Sequence, residues 1–191
     1  MKVVYLASLY EEITSKMTGR FAMQQEDAEL IERVIIAAGD GDYLEIGALY
    51  GGSVILAALV KQINGIKGDS YTIDPMIGYY GGKDPGSGYV PSAAILQSNA
   101  DLFGADVKLI KAKSHPYPAE DITANVILID GDHSAEACYI DWLNASAHSS
   151  KFVLFHDYHD ENIKALVDGI VSDDWTLQEA THKMAVMVRN E

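Results

Sequence analysis

The sequence predicts a single α/β domain. Its core is a doubly wound, mostly parallel sheet of seven strands, with helices on both faces and an antiparallel strand at the C-terminal end. Three observations lead there. Short apolar runs alternate with segments of helical periodicity, and near-continuous apolar strands separated by helices mark a parallel sheet covered on both sides. A glycine-punctuated turn, Gly47-Ala48-Leu49-Tyr50-Gly51-Gly52, joins the first strand to a helix. After Asp160 the rhythm changes to two strand-like runs joined by a short turn, the pattern of an antiparallel pair.

The elements follow in order. Gln24–Ala38 carries Ile31, Val34, Ile35 and Ala38 on one helical face, and Gly39 closes it. Tyr43–Ile46 is the first strand and Ser53 opens the next helix. Val54–Val60 is apolar all round, so that helix should be buried. Ser70–Ile73, Val107–Lys111, Val126–Ile129 and Phe152–Phe155 are the further apolar strands. A helix from Glu161 to Val171 leads to the strand-like runs Trp175–Ala180 and Met184–Arg189. The apolar stretch Met184–Val188 is expected at a sheet edge, where a second copy could pair with it as a homo-oligomer. Trp142 and Leu143, on the helix after His133, are expected to pack on the sheet.

Ile77–Pro91 stands outside this rhythm. It is glycine-rich and holds Tyr79, Tyr80 and Tyr89, too irregular for a helix or strand. A long loop in a compact domain is usually functional or disordered, and its aromatic residues suit closure over a ligand. Residues 1–22 form an N-terminal segment ahead of the domain at 23–191. In that segment Arg20 and Phe21 are placed to cover a bound ligand as a flap.

Composition narrows the class. The chain has 191 residues, 48% of them hydrophobic, enough to bury one full core. Its net charge of −14, with 14 unclustered basic residues, disfavours a nucleic-acid partner, which needs grouped Lys and Arg. The single cysteine, Cys138, excludes an intrachain disulfide and a zinc-thiolate site. The run after Lys2 is barely long enough for a signal peptide, and no small-residue cleavage site follows. No apolar run approaches a membrane span. A cytoplasmic location is the expectation.

The turn at 47–52 places backbone N–H groups at a helix N-terminus, where a nucleotide-like ligand can sit. Glycine without a Cβ lets the backbone approach such a ligand closely. Glu45, on the strand before the turn, suits a cationic ligand better than a pyrophosphate. A dinucleotide fingerprint also requires glycine where Leu49 stands. Asp74 follows an apolar strand and precedes Pro75. There it can accept hydrogen bonds from ribose hydroxyls, or merely cap the turn. Asp130 and Asp157 end neighbouring strands and should converge in the ligand crevice. Two carboxylates with open positions suit Mg²⁺; a local capping role for Asp130 is the alternative. A wholly histidine-based metal site is disfavoured, because no H-x-x-x-H pair falls on a helix.

Taken together, Glu45-x-Gly47-x-x-x-Gly51-x-Ser53, the IDP segment with Asp74, IDGDHSAEA from Ile129 and FHD at Phe155–Asp157 resemble the class I S-adenosylmethionine-dependent methyltransferases. Within them, the small branch of macrolide-sugar and aminocoumarin O-methyltransferases is most similar. The resemblance implies a Rossmann-like sheet of seven strands and methyl transfer from S-adenosylmethionine to a small-molecule hydroxyl, with Mg²⁺ in some members. It implies cofactor contacts from Glu45, Gly47, Gly51, Ser53, Asp74, Ser114 and Asp130, and metal contacts from Asp130 and Asp157. His133 would be the general base, acting with Asp130, and Asp132 and His156 are extra candidate ligands. The chain departs from the pattern at three places. Lys113-Ser114 stands where an acid and Ser are usual, Tyr158 where a second metal-binding acid is frequent, and AHSSKF where a glycine turn is usual. These departures keep open a non-catalytic member that binds the cofactor or assembles with a partner.

Overall fold

A computed structural model describes residues 7–190, with side chains from residue 9 onward. The first part of the run that begins at Lys2 lies outside the described residues. Thirteen elements follow one another: α1 (Ala7–Lys16), α2 (Gln25–Ala38), β1 (Asp42–Ile46), α3 (Gly52–Asn64), β2 (Ser70–Ile73), α4 (Ala93–Phe103), β3 (Lys108–Ile110), β4 (Ala124–Ile129), α5 (Ala135–His148), β5 (Ser149–Phe155), α6 (Glu161–Gly169), β6 (Trp175–Ala180) and β7 (Ala185–Arg189).

The seven strands form one sheet in the order β3-β2-β1-β4-β5-β7-β6. β1 to β5 pair in parallel, β7 runs antiparallel to β5, and β6 runs antiparallel to β7. Six strands therefore point one way and β7 alone is reversed. The reversal at β7 sets the sheet apart from an all-parallel 3-2-1-4-5-6 dinucleotide-binding sheet.

Strand residues alternate between the two faces as their period of two demands. Val126 and Leu128 of β4 join Leu30, Ile31, Ile55 and Leu56 from α2 and α3. Ile127 and Ile129 join Cys138, Trp142 and Ala145 of α5 and Ile163 and Val167 of α6. α3 is buried nearly all round, as its unbroken apolar run requires. Leu9, Ile13, Met17 and Phe21 belong to the same core as α2 and α3, so residues 7–22 pack as part of the domain.

Two expectations are corrected. Met184–Val188 is not at an edge: β7 lies between β5 and β6, and the edges are β3 and β6. The hairpin folds back so that its second strand, the more apolar one, is inserted beside β5. Leu143 does not pack on the sheet but is 49% exposed, while Trp142 is buried. The apolar face of α5 runs through Cys138, Asp141, Trp142 and Ala145, and a neighbour one residue on is turned away by about 100°. Where a glycine turn was missing, no loop exists at all. α5 ends at His148 and β5 starts at Ser149, with the Ser149 N–H closing the helix on Ala145 O.

No helix among the described residues is long and apolar enough to cross a membrane.

Candidate active site

Parallel strands β2, β1, β4 and β5 end side by side, and the loops that follow them enclose a cavity of about 610 Å³, within the range of small-ligand and cofactor sites. Gly47 to Tyr50 contribute from the turn after β1, Asp74 from the end of β2, Asp130 to His133 from the end of β4, and His156 and Asp157 from the end of β5. Arg20 to Met23, Ile77 to Tyr80 and Lys183 close the other sides.

The turn after β1 is shaped by its contact with β4. Gly47 has φ +94°, and a Cβ there would overlap the carbonyl oxygen of Asp130. The Asp130 N–H donates to Ile46 O at 2.9 Å and the Gly47 N–H to Ile73 O at 2.9 Å. Gly51, with φ +86°, is the N-cap of α3 and does not line the cavity; Ser53 and Gly52 do. The ring of Phe21 lies where a Cβ of Gly52 would be, within 2.6 Å. The N-terminal segment therefore rests directly on the turn.

Glu45 sits beneath that turn, fully buried, and is not on the cavity wall. Thr72 Oγ1 and the Tyr43 hydroxyl donate to its two oxygens at 3.1 and 3.2 Å. Burial pushes its carboxyl up to about 8, aided by the charge of Asp130 and opposed by the Ser53, Thr72 and Tyr43 hydroxyls.

Asp74 is held by the backbone. The Ala48 N–H donates to Oδ2 at 2.9 Å and the Met76 N–H to Oδ1 at 2.6 Å. Each oxygen keeps a lone pair for a further donor. One turn on from β3, Ser114 lines the cavity beside Lys113. Behind this turn lies an acid from elsewhere in the chain. Asp141 of α5 is buried, with Oδ1 3.3 Å from His115 Nε2. Burial raises its pKa, and a hydrogen bond from Ser114 opposes that rise. The sequence carried a signal for it: Asp141 is the one acid on an otherwise apolar face at 138, 141, 142 and 145.

The chemical centre lies at the ends of β4 and β5. His133 Nδ1 contacts Asp157 Oδ2, and this contact raises the pKa of the imidazole while burial opposes it. The ring of Tyr80 lies 6.3 Å from that of His133. His156 Nδ1 is 3.1 Å from Asp130 Oδ1 and 3.2 Å from Asp157 Oδ1. Burial opposes a charge on His156, yet the two acids outweigh it and hold its pKa up to about 10. Burial likewise opposes the charge on Asp157, but the adjoining imidazoles win and hold its carboxyl well below the usual range. Asp157 has φ +56°, a left-handed conformation that short polar residues adopt most readily. Leu49, Met76 and Tyr80 are also left-handed, so non-glycine backbone strain gathers around the cavity. Asp130, His156 and Asp157 are the group among the described residues whose ligand atoms could share a metal ion. Asp132 instead accepts the Ser134 N–H at 2.9 Å at the start of α5, and His159 Nδ1 is 3.9 Å from Asp157 Oδ1.

One feature of the site had no warning beyond a turn signal. Asp84, in the Gly/Tyr loop, is fully buried. It receives Arg20 Nε on Oδ2 at 2.9 Å and Arg20 Nη2 on Oδ1 at 3.1 Å, with the Gly86 N–H at 3.0 Å. The Tyr50 hydroxyl is also engaged, within 2.5 Å of Ser87 Oγ and donating to Tyr89 O at 3.1 Å. The loop, the N-terminal segment and the turn after β1 are thus tied together over the cavity.

The sequence matches no protein-family profile and no curated protein. Solved structures are similar in fold. The O-methyltransferase NovP superposes with a TM-score of 0.71 at 18% identity, covering 88% of this chain and 81% of that one. An O-methyltransferase from Bacillus cereus in complex with SAH gives 0.65 at 15%, covering 100% and 92%. A ribosomal protein L11 methylase from Lactobacillus delbrueckii subsp. bulgaricus gives 0.58 at 14%, covering 88% and 81%. The strand order, the reversed β7 and these likenesses agree: the chain has the Rossmann-like fold of the class I S-adenosylmethionine-dependent methyltransferases.

Proposed function

We propose that this protein is an S-adenosylmethionine-dependent methyltransferase that methylates a hydroxyl of a small molecule, with help from a divalent cation. The observation that carries this reading is the convergence in one cavity of the Gly47 turn, Asp74, and the Asp130–His133–Asp157 group. When bound, S-adenosylmethionine supplies a methyl group on a positively charged sulfur.

This chain's residues would then do the following. Asp74, its oxygens preset by two backbone amides, accepts the ribose hydroxyls. Gly47 and Ser53 face the methionine part at the N-terminus of α3, while Glu45 and Gly51 act from beneath by fixing the turn. Ser114, steadied by Asp141, faces the adenine, and Phe21 and Arg20 cover the cofactor. Asp157 orients the His133 ring through Nδ1, which leaves Nε2 to take the proton of the acceptor hydroxyl. Alignment of the acceptor oxygen with the methyl group supplies most of the remaining acceleration. Asp130 and Asp157 fit a divalent cation, Mg²⁺ by resemblance, because both acids end adjacent strands and border the cavity. Bound there, such an ion would make the acceptor hydroxyl more acidic. A net charge of −14 and a single buried cysteine support a cytoplasmic enzyme without a nucleic-acid or membrane partner.

Isothermal calorimetry with S-adenosylhomocysteine is the test. Saturable binding to the wild-type protein that is lost in Asp74→Ala is expected, and the absence of wild-type binding would sink the reading. In a subsequent acceptor screen, His133→Asn should keep that binding and lose about 10²-fold or more in kcat.

A further inference from the structure

The site holds a buried imidazole set between its two acids. His156 is 8% exposed, and neither of its ring nitrogens makes a hydrogen bond. Nδ1 nevertheless lies 3.1 Å from Asp130 Oδ1 and 3.2 Å from Asp157 Oδ1. Donors that share one ion at bonds near ~2.1 Å lie about 3.0–3.4 Å from one another, and both of these separations fall in that interval. The opposite oxygen of Asp157 is taken by His133. A carboxylate bound on one side and hydrogen-bonded on the other is the usual support for a metal ligand.

We propose that this site takes a first-row transition dication rather than Mg²⁺, with His156 Nδ1 as the third protein ligand beside Asp130 and Asp157. The inference rests on the cation-assisted reading above and deepens it. Mg²⁺ prefers an all-oxygen shell and gives up its waters reluctantly. Imidazole instead favours ions later in the row, and affinity at mixed nitrogen–oxygen sites rises from Mn²⁺ through Co²⁺ to Ni²⁺. One nitrogen and two carboxylates leave positions open toward the cavity. The hydroxyl of Tyr158, the residue after Asp157, is taken by Asp168 and Lys164, so it is His156, the residue before Asp157, that supplies the third donor.

The test uses the full-length protein stripped of metal and without acceptor. Calorimetry compares Mg²⁺, Mn²⁺ and Co²⁺, and pulsed electron paramagnetic resonance of the Mn²⁺ form looks for nitrogen coupling. Mn²⁺ and Co²⁺ are expected to bind on the order of tenfold or more tighter than Mg²⁺. Nitrogen coupling is expected in the wild type and should vanish in His156→Gln, whose fold circular dichroism checks. If that variant does not fold, coupling that persists in both His133→Gln and His159→Gln assigns the nitrogen to His156. No metal binding, Mg²⁺ equal to or tighter than Mn²⁺, an absence of nitrogen coupling, or coupling that survives His156→Gln would overturn the inference. S-adenosylhomocysteine binding without metal keeps the two readings separate. Its loss defeats the methyltransferase reading, whereas its presence with no nitrogen-ligated ion defeats only this one.

Discussion

Gly47 and Glu45 sit two residues apart and answer to different constraints. A methyl group at Gly47 would meet the backbone of Asp130, which cannot rotate aside, and φ is +94°. Gly47→Ala is therefore expected to cost about 2–4 kcal/mol in chemical denaturation and to abolish S-adenosylhomocysteine binding. Gly65→Ala, also at positive φ but with nothing within 4 Å, should cost only about 1 kcal/mol. Equal losses would mean that conformation alone, not the close approach to β4, requires glycine at 47. Glu45 governs stability through its proton. The carboxyl keeps its proton to about 8 when folded, against an ordinary value of 4.5. The folded state thus binds more protons than the unfolded one across that interval. The stabilisation from Glu45 is complete below about pH 4.5 and is lost as pH rises to about 8. Glu45→Gln removes this dependence, so its stability relative to wild type should climb by a few kcal/mol between pH 5 and pH 8.5. Urea midpoints at those two values check it, and a constant difference would show that Glu45 is ionised in the fold.

At the scale of elements, the Arg20–Asp84 pair joins the N-terminal segment to the Gly/Tyr loop. Burial of Asp84 makes the bidentate contact matter, because a planar guanidinium meets both carboxylate oxygens and Lys cannot reproduce that fork. Arg20→Lys and Asp84→Asn are both expected to speed amide exchange in 77–91 and 18–23, and to speed release of S-adenosylhomocysteine, with the sheet's protection unchanged. Unaltered exchange in those two segments would mean that the loop is held by Tyr50, Ser87 and Tyr89 alone. This tie explains why the loop was legible in the sequence only as an irregular aromatic stretch: its order depends on a partner 64 residues away. Most regular elements were legible because period and apolarity are local, but α1 and α4 were not expected. β1, β2 and the helix after Gly51 stand where their patterns put them. The position of β7 was not legible, since an apolar run reads alike whether it ends a sheet or is inserted within one. Leu143 was misassigned for a related reason: the buried face of α5 runs through Cys138, Asp141, Trp142 and Ala145, and Leu143, one step of about 100° past Trp142, falls beyond its border.

For the whole molecule, the question is what kind of acceptor this surface admits. The candidate site was legible as far as residues at strand ends carry it, because a parallel sheet brings the C-terminal ends of its strands together. Gly47, Asp74, Asp130, His133 and Asp157 meet for that reason. Asp84 was not legible, since it supports the cavity wall only through a tertiary contact with Arg20, and Asp141 was legible only as a lone acid on an apolar helix face, not as a partner of the turn at 114–115. The fold leaves the acceptor open, being shared with an O-methyltransferase and a ribosomal protein L11 methylase. Net charge and enclosure are what favour the small-molecule acceptor proposed above. A surface at −14 repels a polyanion over about a Debye length, ~8 Å at physiological salt, and the tied loop and N-terminal segment narrow the route to His133. Labelled RNA and DNA are therefore expected to give no anisotropy change at ~0.15 M salt. For a small anionic acceptor, KM should fall as salt rises, because screening removes repulsion rather than attraction. Nucleic-acid binding that weakens with added salt would instead reveal a basic face that composition conceals, and would move the acceptor from a small molecule to a macromolecule.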